Sequence, residues 1–464
     1  MNYKKFKLLT LLILLVLLPG FGFRCVSQEV QQGLRPVKLT YWRVWDEQDV
    51  FNTILAAYKA IHPNVTIEYR KFRYEEYEQA LIEALAEDRG PDIFSIHNTW
   101  VKEYLSKIRT MPPTISMVFP IQKGRLKKEI IPEIRESRSI TIKEINDKYV
   151  DVVQDDVVVK IGKGVNVKEY IYGLPYSVDT LAMYYNKDLF NNAGIANPSM
   201  YWDKEFQQNV KKLTKQNTKG QIIQSGAALG GGTNIDRYSD ILSLLMMQNG
   251  TEMMEGTRIK FQNIPEILKN QGYNPGVEAV KFYTDFANPA KEVYSWNDSM
   301  DNALDMFING KLAIMFGYSY HMPVIKSRAP KLNFSVAPMP QIEGNDKSVN
   351  FANYWVETVS KKSNYPNEAW DFIQFTAKEE NVKNYLNRAK KPTALRALVD
   401  KQKEDFDIGV FVEQVLTAKS WYQGKDAVAM ESLFAEMINK AIANPSETHK
   451  AISLYAKLVQ QTIE

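Results

Sequence analysis

The side chains best able to do covalent or metal chemistry are scattered through this chain. The four histidines, His62, His97, His321 and His449, form no pair at the i, i+4 spacing of a helical metal site. Gly317-Tyr318-Ser319-Tyr320-His321 approaches the G-x-S-x-G nucleophile elbow, but His321 stands where the last glycine belongs and crowds the turn. Gly230-Gly231-Gly232 lacks the Lys-Ser/Thr of a phosphate loop, and Gly162-Lys163-Gly164 lacks the third glycine of a dinucleotide fingerprint. No cofactor, metal or catalytic residue is expected. The aromatic residues are more informative. The chain has 25 Tyr, 21 Phe and 8 Trp. Many fall at predicted strand-to-loop junctions: Trp42, Trp45, Trp100, Tyr176, Tyr318, Tyr320, Tyr354, Trp355, Trp421 and Tyr422. In open α/β sheets, ligands bind beyond the carboxyl ends of strands. Flat rings there suit the C–H faces of sugars, and Asp46, Asn98, Asp179 and Asn353 offer partners for hydroxyls. Core packing is the competing explanation for any single ring. As a set, the rings indicate a cleft for a polar ligand.

The elements that must position these rings alternate in type. Val37–Val44 reads as a first strand, and residues 49–62 place Phe51, Ile54, Leu55, Tyr58 and Ile61 on one helical face until Pro63. Val65, Ile67 and Tyr69 alternate as a strand, residues 74–87 form a helix, and Asp92–Ile96 is a short buried strand. This β-α-β-α-β order predicts an α/β domain with parallel strands. Further on, strands are predicted at 180–185, 222–229, 311–316 and 333–337. Helices are predicted at 202–213, through Met247 with Asn234 or Asp236 as cap, and at 300–308, 365–376, 379–387, 427–442 and 449–462.

At 464 residues, 45% hydrophobic and 24% charged, the chain is ordinary globular material for two or three units. Lys4, Lys5, Lys7 and Arg24 precede Cys25 with no acid among them, so the rest of the chain carries equal numbers of basic and acidic residues. That balance gives nucleic acid no basic face, and no such partner is expected. Basic residues followed by the largely apolar run Leu8–Leu18 have the pattern of an export signal. The single cysteine, Cys25, then resembles the lipidated cysteine of bacterial lipoproteins, with Phe23 and Arg24 where that pattern has small residues. Lipidation at Cys25, an uncleaved anchor and a released protein are the alternatives. All three place the body outside the cytoplasm, and the first two tether it to the membrane by its N-terminus. Residues 28–36 read as a short leash.

Several segments together are similar to one family. They are Ala60-Ile61-His62-Pro63-Asn64-Val65, Gly90-Pro91-Asp92-Ile93, Tyr172-Gly173-Leu174-Pro175 through Tyr185-Asn186-Lys187-Asp188-Leu189-Phe190, Ala193-Gly194-Ile195, Phe307–Gly317, Val336–Pro340 and Asn367–Ile373. In that order they resemble the family-1 extracellular solute-binding proteins of ABC importers, the maltose- and multiple-sugar-binding type. The resemblance implies an α/β, two-lobed periplasmic-binding-protein-like fold of type II, with the ligand cleft between lobes joined by hinge crossings. It implies a leader or anchor at 1–25, a tether at 26–36, lobe 1 from 37–177 and 356–392, and lobe 2 from 178–355 and 393–464. It also implies a sugar ligand, ABC permease subunits as partners, and a monomer. With the candidate rings, it sets the expected ligand-binding residues as Trp45, Asp46, Asn98, Trp100, Asp179, Tyr238, Tyr318, Tyr320, Trp355 and Trp421.

Three other readings stay open. The same fold could bind a non-sugar solute such as glycerol phosphate or a peptide, with Arg43 and Arg237 the nearby cations. It could serve as a sensor or adhesion module. An extracellular carbohydrate-active enzyme would use paired carboxylates such as Asp46 and Asp179.

Overall fold

The computed structural model describes residues 35–123, 129–162 and 164–463. The leader, Cys25 and most of the expected leash lie outside the described residues. The chain begins in the predicted order. Strand β1 (Val37–Val44) buries alternate side chains, and helix α1 (Asn52–Ile61) turns Ile54 and Tyr58 inward. Pro63 cannot extend that helix, and the His62 N–H closes it on the Tyr58 carbonyl. Strand β2 (Val65–Phe72), helix α2 (Tyr74–Ala86) and strand β3 (Ile93–His97) follow. β1 lies parallel to both β2 and β3. β3 is buried from Ile93 to Ile96, as a strand covered on both faces must be.

The sheet is completed from far along the chain. Strand Trp355–Ser360 pairs antiparallel with β3, and Ile108–Arg109 pairs beyond it, giving five strands. The second lobe is built on a three-stranded antiparallel sheet with Ala182–Asn186 at its centre, between Ile314–Gly317 and Phe334–Ala337. Helices Tyr238–Gln248, Pro275–Asp285, Ala427–Ala443 and Thr448–Gln461 pack on one another beside it. The first of these is buried nearly all round, and its buried polar side chains Asp240, Ser243 and Gln248 are each hydrogen-bonded.

The chain passes between the two sheets at clustered points. Asp179–Thr180 pairs antiparallel with Asn350–Asn353, which continues through Tyr354 into the lobe 1 sheet. The Val178 N–H reaches the Pro392 carbonyl at 3.2 Å, and Ser177 bridges Thr393. Leu174 bridges Glu357, with Gly173 beside it. A Cβ on Gly173 would lie 2.7 Å from the Glu357 carbonyl oxygen, so this close backbone approach requires glycine.

Several expected elements shift. The strand expected at 222–229 ends at Gln224. Helix Tyr238–Gln248 starts after Arg237 without a side-chain cap, and Asp236 instead accepts from Asn302. Asn234 accepts from Trp296 Nε1 and donates to the Asn297 and Met300 carbonyls. A long hairpin, Thr114–Lys123 with Glu129–Arg138, has no counterpart among the expected elements. Pro120 faces Pro132 across it, and proline inside a run demotes it as a strand in any pattern reading. Among the described residues no helix is long and apolar enough to cross a membrane.

Candidate ligand-binding site

At the end of β1 the backbone turns sharply, with Trp45 at φ 73°. That left-handed conformation is unusual for a bulky residue, and it lifts the indole out of lobe 1. The indole stacks on Tyr74, at the start of α2, with ring centroids 5.5 Å apart. It also stacks on Tyr320 of lobe 2, at 5.6 Å and 14° between planes. Tyr320 in turn lies on His321 at 4.2 Å and on Tyr318 at 6.0 Å. Trp355, at the start of its strand, meets Tyr74, His97 and Trp100 edge-on. Trp45, Tyr74, Trp355 and Tyr320 thus form an aromatic wall that spans both lobes. Trp45 and Tyr74 are each nearly half exposed.

The polar groups around these rings belong mostly to lobe 2. Arg237 donates to Asp240 Oδ2 from Nε and Nη2, at 2.9 and 2.6 Å, and lies 3.9 Å from Glu431. Tyr318 donates to the same Asp240 oxygen at 2.5 Å. Burial, with the nearby Arg237 cation, pulls His97 down to about 4, so its ring is neutral at pH 7. Burial pushes Asp179 up to about 7 against hydrogen bonds from Ser319 and Thr180.

The expected residues divide by depth. Trp45, Tyr320 and Trp355 stand on the aromatic wall. Tyr238 is half-buried and donates to the Glu431 carbonyl at 2.9 Å. Asp179 is also half-buried, and it accepts from Ser319 Oγ and N at 2.6 and 3.0 Å and from the Thr180 N–H at 2.9 Å. Tyr318 is fully buried beneath Tyr320. Trp100 is buried behind Trp355, 5.4 Å away and nearly perpendicular to it. Trp421 lies in the lobe 2 core, donating to Ser243 Oγ at 2.9 Å and packing on Phe434.

Two expected polar residues face inward. Asn98 donates to Asp156 Oδ2 at 2.9 Å, where Tyr354 also donates at 2.6 Å. Asp46 is buried. Its oxygens accept from Lys391 at 2.7 Å and Tyr385 at 3.0 Å, and Arg43 lies 3.3 Å away. Burial raises this carboxyl, but Lys391 and Arg43 outweigh it and hold it below the usual range. Arg43 also pairs with fully buried Glu357 at 3.0 Å. Glu357 accepts from Tyr41 at 2.6 Å and from Ser95 at 2.7 Å. This ionic cluster ties β1, β3, strand Trp355–Ser360 and the Lys391 crossing together.

Tyr74, His97, Arg237 and Glu431 complete the surroundings of the wall and were not among the expected binding residues. Tyr74 carried one usable signal, an aromatic residue opening the helix predicted after the second strand. The others are brought in by long-range packing. Among the described residues, no group of three or more His, Cys, Asp or Glu side chains could hold a metal ion.

A family model described as bacterial extracellular solute-binding protein matches residues 45–383. Maltodextrin-binding protein MdxE of Bacillus subtilis is 27% identical over 268 residues, 55% of this chain and 58% of that protein. The maltotriose-binding protein of Pyrococcus abyssi is 22% identical over 380 residues, 77% of this chain and 66% of that protein. The chain therefore matches little more than half the length of the first of these relatives. Among solved structures, a cyclo/maltodextrin-binding protein complexed with maltotetraose superposes with a TM-score of 0.67 at 15% identity, covering 93% of this chain and 98% of that one. A solute-binding protein of Thermotoga lettingae bound with α-D-tagatose superposes at 0.65 and 17%, covering 92% and 100%. At those identities the likeness shows the two-lobed type II fold.

Proposed function

The chain belongs to the bacterial extracellular solute-binding proteins, and we propose that it is the substrate-capture component of an ABC importer whose solute is a carbohydrate. One observation carries this reading: rings of both lobes, the half-exposed Trp45 and Tyr74 on one side and the partly buried Tyr320 on the other, meet in one cleft. A ligand stacked there gains its full contact only when the lobes are together, so binding shifts the hinge equilibrium toward the closed form. The names of the relatives, maltodextrin- and maltotriose-binding, support an oligosaccharide.

The lobe boundaries proposed from the family pattern are 37–177 with 356–392 and 178–355 with 393–464, a reading supported by the backbone contacts near Val178, Tyr354 and Pro392. Permease subunits of the importer are the proposed partners, and a tether through the N-terminus keeps the protein near them. A phosphorylated solute fits less well, because Arg237 is already engaged by Asp240. An enzyme using Asp46 and Asp179 fits less well too, because Lys391 and Ser319 take up those carboxylates.

The test is a calorimetric and thermal-shift series with maltotriose, maltotetraose, mannobiose, glycerol 3-phosphate and a tripeptide. At 100 times its dissociation constant, a cognate sugar stabilises the fold by about 2.7 kcal/mol. Stabilisation by glycerol 3-phosphate or the peptide and by none of the sugars overturns the carbohydrate assignment. Conversion of a bound sugar to products overturns the assignment as a binding protein.

A further inference from the structure

Phe406 is fully exposed, which is unusual for a large aromatic side chain. It does not sit on a loose loop. Asp405 Oδ1 accepts from the Asp407 and Ile408 N–H groups at 3.0 and 3.4 Å and closes the turn under it. Gly409 packs so tightly behind the turn that a Cβ there would lie 2.3 Å from the Lys403 carbonyl oxygen. Lys326 of lobe 2 anchors the far side through Asp407 at 2.7 Å. The turn that carries the ring is therefore fixed, while the ring itself projects into solvent.

Beside it lies a groove of about 260 Å³ with Leu386, Leu398 and Ile408 as its apolar floor. Cavities of about 150 Å³ with similar linings take up benzene, so this groove is large enough for one phenyl ring. Its rim carries both signs of charge, Lys383 and Lys401 with Glu404 and Asp405. A two-fold contact places the same patch against itself, so a patch that carries its own projection, recess and opposite charges is self-complementary.

We propose that this face is an interface between two copies of the chain, with Phe406 of each seated in the Leu386–Leu398–Ile408 groove of the other. This replaces the expectation of a monomer. It is independent of the sugar cleft and stands or falls without it.

Sedimentation velocity over a range of concentrations reads the equilibrium directly. The wild-type protein is expected to show a monomer–dimer equilibrium, and Phe406→Ala to weaken it at least tenfold. Asn387→Trp, a substitution of an exposed residue that lines the groove, is expected to do the same from the other side. Mixing the two variants restores one of the two contacts. Association in the mixture is therefore expected to be stronger than in either variant alone. A wild-type protein that remains monomeric at every concentration overturns the proposal. So does a dimer that Phe406→Ala leaves intact, which would use another face. Circular dichroism spectra that match wild type confirm that the variants are folded.

Discussion

Trp45 of lobe 1 and Tyr320 of lobe 2 stack across the cleft with their planes 14° apart and centroids separated by 5.6 Å. Each ring is held by neighbours in its own lobe, Trp45 by Tyr74 and Tyr320 by His321 and Tyr318. The pair makes closure a ring-on-ring event.

Tyr320→Ala is expected to weaken sugar binding by about 2 kcal/mol or more, the usual size of an aromatic hot spot, or about 30-fold in dissociation constant. Titration calorimetry measures it. Trp45 fluorescence should respond to sugar in the wild type and respond less in the variant. Unchanged affinity would remove Tyr320 from the site.

Arg43 is buried between Glu357 and Asp46. Arg43→Met leaves Glu357 without its cation, and breaking a buried pair from one side costs about 3–5 kcal/mol. The midpoint of urea unfolding should fall accordingly. A midpoint within error of wild type would show that Tyr41, Ser95 and Lys391 satisfy the acids without Arg43.

Asp156 supplies a pH signature. Burial raises its carboxyl from 3.8 to about 6, despite hydrogen bonds from Ser420, Tyr354 and Asn98. The folded form holds that proton more tightly than the unfolded chain. Its contribution to stability is therefore full below about pH 4 and lost as pH rises through 6. His97, lowered to about 4, has the opposite slope, since its folded form binds the proton less well. Comparison with Asp156→Asn cancels the His97 part. The stability of wild type relative to this variant should decline between pH 4 and 7 by up to about 3 kcal/mol. A constant difference across that range would rule out the raised carboxyl.

Trp421 is a core residue in the structure, and its truncation should act on folding. Trp421→Ala is expected to cost about 3–5 kcal/mol, read as a lower unfolding midpoint, with sugar affinity retained well below it. Loss of affinity in a variant that is still folded would return Trp421 to the binding site.

For the tether, Cys25→Ser separates the alternatives. A lipoprotein should accumulate as a larger precursor without acyl groups. An uncleaved anchor should fractionate with membranes at unchanged mass. Wild-type protein found free of membranes and starting beyond Cys25 would exclude both.

The first half of lobe 1 was legible because its information is local. The apolar periodicity of residues 49–62, the stop at Pro63 and the alternation after Val65 all act within a few residues. The site was legible only in part. Trp45, Tyr320 and Trp355 stand at strand ends, where a linear pattern can find them. Asp46 looks the same in sequence. Its role is decided by Lys391, Tyr385 and Arg43, two of them more than 300 positions away, and nothing near Asp46 announces them. Arg237, just before helix Tyr238–Gln248, and Glu431, inside helix Ala427–Ala443, meet only once lobe 2 has packed.

The left-handed backbone of Trp45 sets two selection pressures against each other. Conformations of this kind cost on the order of 1–3 kcal/mol in a residue with a side chain, and glycine adopts them freely. For heat resistance, Trp45→Gly relieves that strain but gives up the stacking on Tyr74 and Tyr320, whereas a screen for sugar capture would discard it outright. Position 45 is where thermostabilised versions of this protein should be checked first for lost ligand binding.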